Sequence, residues 1–230
     1  MLIREGEQRT TAIDLGLATG FAGAAGALNA ATFQSTGFFS ANMTGNASAF
    51  SDHLALQDWG PAGTFAALLF MFIAGALVSG ILIELGRRRG SRAIYAYSIA
   101  LEAVLLIALG AADLAHAVGS GVVLVTGMSF IMGLQNAATT RISEARIRTT
   151  HVSGMATDIG LGLASLLVGG PGQDAALSRL RLYLTAMLAF VVGGVVGVLA
   201  WIWMEGWFFV LIGAGLLGVS MPEARRARKR

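Results

Sequence analysis

The chain has 230 residues, of which 55% are hydrophobic and 13% charged; a soluble domain carries about 25% charged residues, so an ordinary water-soluble enzyme or binding module is excluded. The net charge of +3 and a pI near 9.9 do not point to nucleic acid, because the basic residues cluster in short loops beside apolar runs, where they report topology. There are no cysteines, which excludes disulfides, thiolate metal sites and a cysteine nucleophile.

A polar lead-in, Met1 to Arg9, opens the chain and does not read as a cleavable signal. Apolar runs long enough to cross a bilayer then recur at about 11–33, 63–85, 93–114, 118–140, 181–203 and 207–221. The last two form a tight hairpin from Leu180 to Met221 that turns at Met204-Glu205-Gly206. Two shorter stretches, about 43–56 and 154–169, each follow a Thr-Gly or Ser-Gly motif. The expected fold is an all-α polytopic membrane protein of six spans and two short re-entrant or half helices.

Arginine clusters follow the second span (Arg87, Arg88, Arg89, Arg92), the fourth (Arg141, Arg146, Arg148) and the last, where the tail runs from Arg225 to Arg230. The positive-inside rule places all three in the cytoplasm, with both termini inside. The expected outer loops, 51–61, 113–118 and 204–206, hold no Lys or Arg. If either short stretch crossed fully, a large arginine cluster would face outward. Each is therefore expected to enter and leave on one side, which non-helical backbone tolerates only beside protein or a water-filled cavity.

The chain also repeats itself. Gly26-Ala27-Leu28-Asn29-Ala30-Ala31-Thr32 returns as Gly133-Leu134-Gln135-Asn136-Ala137-Ala138-Thr139. In the same order, Asn42-Met43-Thr44-Gly45-Asn46 answers His151-Val152-Ser153-Gly154-Met155, and Phe72-Ile73-Ala74-Gly75 answers Phe190-Val191-Val192-Gly193. Gly75 with Ser79 and Gly193 with Gly197 read as small-residue packing faces. The third span of each half shows no match. These echoes divide the chain into halves, 1–114 and 115–230. Each holds three spans and a short helix; three is odd, so the second half is expected to be inverted, as in transporters built from inverted repeats.

Asn29 and Asn136 are expected near the inner ends of the first helix of each half. They either cross-link helices or offer a donor and an acceptor to a polar solute, since a buried amide needs partners. Thr44 and Ser153 are suited to cap the short helices, while Gly45 and Gly154 leave room for a ligand. A half-helix N-terminus near the midplane holds an anion or the negative end of a dipole. The candidate binding residues are Asn29, Ser40, Asn42, Thr44, Gly45, Asn46, Gln135, Asn136, Thr150, Ser153 and Gly154. Glu102, Asp158 and Asp14 are candidates for proton or ion coupling, because an acid in apolar text is expensive to bury. His151 with Asp158 is the one close acid–base pair; the Ser153-Gly154 break argues against a continuous helix joining them. Three scattered histidines give no metal site, and no cofactor motif is present.

Phe39-Ser40-Ala41-Asn42-Met43-Thr44-Gly45-Asn46 resembles the F-S-x-x-M-T-G-N signature of the YoaK-like, DUF1275 group, and Gly133-Leu134-Gln135-Asn136-Ala137 resembles its G-x-Q-N-A. The resemblance spans roughly 12–220 and implies a bacterial inner-membrane protein of unknown biochemical function. The chain departs from that pattern at Asn29, where an acid is common, and at Ser153, where Thr is common. The leading expectation is a non-enzymatic transporter or channel for a small polar solute or anion, with the bilayer and a small-molecule or ion substrate as partners. A homo-oligomer is compatible with the packing faces. The alternatives are a structural or assembly subunit and a lipid-acting membrane enzyme.

Overall fold

A computed structural model describes residues 10–91, 93–117, 121–147, 149–169 and 171–228, with Arg228 described in its backbone only. Of the residues weighed above, the lead-in to Arg9, Arg92, Arg148, Lys229, Arg230 and the start of the fourth span at 118–120 lie outside this set. The chain is 86% helical, without strands among the described residues. Its helices are α1 (Thr11–Thr36), α2 (Met43–Ala55), α3 (Trp59–Arg88), α4 (Ile94–Leu114), α5 (Gly121–Ile142), α6 (Val152–Val168), α7 (Gln173–Met204) and α8 (Gly206–Arg228). All but α2 and α6 are long and apolar enough to span a membrane. At 1.5 Å per residue, the 13 residues of α2 and 17 of α6 reach only about 20 and 25 Å, short of a hydrocarbon core of about 30 Å.

Sequence explains most of the boundaries. α1 begins on the Thr10 cap and ends where Gly37 turns left-handed at φ 78°. α7 starts earlier than its apolar run, because Gln173 to Arg181 form about two and a half mixed polar turns ahead of it. The α7–α8 turn is made by Glu205 at φ 47°, as the hairpin reading requires. Within α1, residues Ala18–Ala22 form one π turn, for which the sequence carries no signal.

Packing is dominated by three pairs: α1 on α7, α3 on α5, and α4 on α8. The first two cross where side chains are absent. A Cβ on Gly26 would strike the Phe190 carbonyl, and one on Gly193 would strike Gly23. On the other pair, a Cβ on Gly133 would strike the Phe72 carbonyl, and one on Gly75 would strike Phe130. Gly26 and Gly133 are echo positions, as are Phe190 and Phe72, so equivalent residues make equivalent contacts. α2 lies on α3 and α6 on α7, completing the same pattern. The unmatched third spans, α4 and α8, pack on each other through Gly110, Gly206 and Gly213.

These contacts set directions. α1 and α7 run parallel, with Gly23 at Gly193 and Ala27 at Gly197; α3 and α5 run parallel, with the Ser129 hydroxyl donating to Leu68 O at 2.8 Å and Phe72 at Gly133. α4 and α8 are antiparallel, with Ala103 at Gly213 and Gly110 at Gly206. Short connections make α2–α3, α3–α4, α6–α7 and α7–α8 antiparallel as well. α1 and α5 therefore point in opposite directions. One end of the molecule collects Arg87, Arg88, Arg89, Arg141, Arg146, Arg179, Arg181, Arg225 and Arg226. The other collects Asp52, Asp58, Asp113 and Glu205 and, among the described residues, no Arg or Lys.

Candidate solute-binding cavity

After α1 ends, residues 37–42 turn back along it. The Ala41 N–H donates to Asn29 Oδ1 at 2.8 Å. Asn29 lies seven residues before the end of α1, so the loop returns about 10 Å towards the centre before α2 starts. The second half repeats the device: the Thr150 hydroxyl donates to Asn136 Oδ1 at 3.4 Å, and α6 starts just beyond. Thr32 and Thr139, three residues after each asparagine, bond back to Leu28 O and Gln135 O at 2.6 and 2.9 Å. The asparagines thus cross-link helix to loop through their oxygens. Among the described residues, the Asn29 amide nitrogen has no partner.

Because α1 and α5 are opposed, the two returning loops bring the N-termini of α2 and α6 together. Both border one cavity of ≈ 780 Å³. Its polar lining is Asn29, Asn42, Thr44, Asn136, Thr140, Thr150, His151 and Ser153; Phe39, Phe72 and Phe190 supply apolar walls. His151 is its one titratable side chain, and the lining holds no acid, Lys or Arg. Two amides, several hydroxyls and the first-turn N–H groups of two helices make it rich in hydrogen-bond donors. Asn29 and Asn136, Thr44 and Ser153, and Phe72 and Phe190 are each a pair of echo residues.

The helix caps differ from expectation. The N-caps are Asn42 and His151, two residues before Thr44 and Ser153. Asn42 Oδ1 accepts from the Gly45 N–H at 3.2 Å, which leaves the Thr44 hydroxyl free to face the cavity. Gly45 lines the cavity, and Gly45 and Gly154 both leave room for the N-cap residues: a Cβ on either would run into the Asn42 or His151 side chain.

Four further candidates lie off the cavity lining. Asn46 is buried and donates from Nδ2 to Phe39 O at 3.1 Å. Gly154 sits under the His151 ring. The Ser40 hydroxyl is buried without a partner, as is that of its echo Thr149. Gln135 is fully buried on another face of α5 from Asn136, its neighbour in sequence. None of the three acids lines the cavity either. Asp14 is buried at the arginine end and pairs with Arg146 at 3.1 Å. Asp158 is exposed on α6. That helix is continuous through Ser153 and Gly154, contrary to the expected break, and it carries Asp158 about 10 Å beyond His151, too far for an acid–base pair. Glu102 is fully buried in α4.

Two grooves adjoin the cavity. One of ≈ 660 Å³ shares Asn136 and Thr140 with it and runs between α3 and α5 to Glu84, Arg88 and Arg141 at the arginine end. The other, ≈ 530 Å³, shares Met43 and Thr44 and follows Ala47, Ser48 and Ser51 up α2 towards the acidic end. The aromatic walls, Thr140 and His151 are absent from the sequence-derived candidates. Phe72 and Phe190 stood in an echo whose small residues read as packing faces, Phe39 in the family signature, and His151 in the echo of Asn42 and in the pair with Asp158; none of these pointed to a cavity wall.

The family model described as "Protein of unknown function (DUF1275)" matches residues 17–221, from the second turn of α1 to the end of the apolar part of α8. The chain belongs to the DUF1275 family. The match takes in both returning loops and every residue of the cavity, so the whole site of this DUF1275 protein lies within the matched segment. No curated protein and no solved structure matches the chain.

Proposed function

We propose that the protein is a transporter for a small anion or hydrogen-bond-accepting solute, bound between the two returning loops. The observation that carries this is the convergence of both motif helices and both asparagines on one donor-rich cavity. Opposed half-helix N-termini hold a negative charge or dipole, and the aromatic walls suit an organic body attached to it. The grooves on either side supply routes to opposite ends.

The equivalent glycine contacts, the opposed directions of α1 and α5 and the doubled loop tether all support an inverted duplication. The moving bodies we infer are α1 with α6 and α7, and α5 with α2 and α3, each joined by a crossing without side chains. Their relative motion would open one groove and close the other. The charge asymmetry between the two ends supports a bacterial inner-membrane protein with the arginine end and both termini in the cytoplasm. The assembly-subunit reading needs no such cavity and is less well supported.

A thermal-shift screen of the purified protein against small anions, amino acids, sugars and nucleobases tests the reading. A stabilising solute should lose its effect in Asn29→Ala and Asn136→Ala. In vesicles, its flux should be lost in Thr44→Val and Ser153→Ala, whose side chains contribute little to packing. Normal flux in all four variants would overturn the site.

A further inference from the structure

Among the described residues, Ser40, Thr149, Trp201, Glu102 and Gln135 each carry a buried polar side-chain atom without a hydrogen-bond partner, and only in Glu102 and Gln135 are both terminal atoms left so. Glu102 is fully buried midway along α4, and neither carboxyl oxygen has a hydrogen-bond partner. Gln135 is fully buried on α5, and neither amide atom has a partner. Buried polar atoms are nearly always satisfied, so four orphaned atoms are a strong departure.

The helix register brings them to one height. α4 and α5 are antiparallel, and Gly127 lies against Leu109. Glu102 is seven residues back from Leu109, and Gln135 is eight on from Gly127; at 1.5 Å per residue they stand about 10 and 12 Å from that contact, in the same direction. Seven residues is almost two whole turns, so Glu102 shares the face of α4 that Leu109 turns to α5. Gln135 lies about a quarter-turn off the line of Gly127. One turn below Glu102, Ser98 and Ser79 tie α4 to α3 by a 2.9 Å hydrogen bond.

Among the described residues of the helices packed on α4, no charged group balances the acid. α3, α5 and α8 pack against α4. At the height of Glu102 they present Gly75, Leu134 and Gly213. Their titratable residues, Glu84, Arg87, Arg88, Arg141, Glu223, Arg225 and Arg226, lie near the arginine end. On α4 itself, Tyr95 and Tyr97 lie towards that end and Asp113 towards the other. An ionised carboxylate with no counter-charge in a membrane interior is strongly disfavoured.

We propose that Glu102 and Gln135 form a proton-binding site, separate from the solute cavity, whose protonation controls the opening of that cavity. The inference rests on the transport reading above. When Glu102 is protonated, its O–H donates to Gln135 Oε1 after a small closure of the seam. When the seam opens and admits water, the proton passes to that water and Gln135 Nε2 donates to the carboxylate. Gln135 and Asn136 are adjacent on α5 and face different compartments, so a rotation of α5 that moves one displaces the other.

The test uses the full chain in phospholipid vesicles. Infrared spectra near neutral pH should contain a protonated-carboxyl band that is absent in Glu102→Gln and shifted in Gln135→Leu. The absence of native cysteines lets Thr140→Cys report cavity access through its rate of reaction with a water-soluble maleimide. Comparing the parent and Glu102→Gln backgrounds at each pH cancels the pH dependence of the thiol itself. Between pH 6 and pH 8 the ratio of the two rates should change at least threefold. No band assignable to Glu102, or a constant ratio, would overturn the proposal; His151 would then account for any remaining pH response. If Glu102→Gln does not fold, a Gln135→Leu band and labelling profile identical to the parent would overturn it equally. Solute stabilisation that depends on Asn29 and Asn136 but not on Glu102 would leave the cavity reading standing without the proton site. The converse result would do the reverse.

Discussion

Asn29 carries two roles that substitution can separate. Its oxygen accepts from the Ala41 N–H at 2.8 Å, and the residue lines the cavity, where the proposed site uses its amide nitrogen as a donor. Asn29→Ala removes both and leaves the Ala41 N–H, on a buried residue, without an acceptor. An orphaned buried donor costs about 1–3 kcal/mol. Asn29→Asp keeps an acceptor for Ala41, so most of that loss is avoided, but it replaces a donor with negative charge in a cavity built of donors. Unfolding by SDS in mixed micelles should rank the parent and Asn29→Asp close together and Asn29→Ala about 1–3 kcal/mol below them. Stabilisation by an anionic solute should be absent in both variants. Parental stability in Asn29→Ala would mean that the tether does not hold the returning loop. An Asn29→Asp protein that still responds to the anion would remove the amide from the site.

The glycine crossings and the caps give two further predictions. Gly26→Ala and Gly133→Ala each force a Cβ into a facing backbone carbonyl and should lower stability by about 1–3 kcal/mol. Gly215→Ala, on α8 with open space around it, should raise stability by up to about 1 kcal/mol; equal behaviour of the three in SDS unfolding would refute the close approach. Asn42→Ala removes the Oδ1 that accepts from Gly45 and should cost about 0.5–2 kcal/mol, whereas Thr44→Ala should change stability far less, since Thr44 is not the cap. The reverse order would restore Thr44 as the capping residue.

The elements were readable because spanning helices announce themselves by apolar length, and the two short helices by their lack of it. Arginine placement fixed which stretches could cross, and the structure gathers the described arginines at one end. Finer features depend on angles that a linear reading does not carry. Gln135 and Asn136 are neighbours in the chain but about 100° apart on a helix, so one is sealed in the core and the other opens on the cavity. Asn42, not Thr44, caps α2, because the helix starts two residues earlier than the Thr-Gly pair suggests. Phe72 and Phe190 were visible as an echo, but nothing in one dimension shows that α3 and α7 meet the same space. The burial of Asp14 depends on Arg146, more than a hundred residues away, and no local pattern joins them.

The crossed pairing of helices bears on how the chain is made. α1 presents Gly23 and Gly26 to a partner, α7, that begins at Gln173. The whole of α2 to α6 is therefore synthesised and inserted before the first helix meets the backbone it is shaped to fit. Neither 1–114 nor 115–230 contains a complete crossing, since α1 needs α7 and α5 needs α3. Expressed alone, each piece would leave bare glycine grooves facing lipid. The two pieces made together would have the means to find each other, with those grooves as the points of recognition.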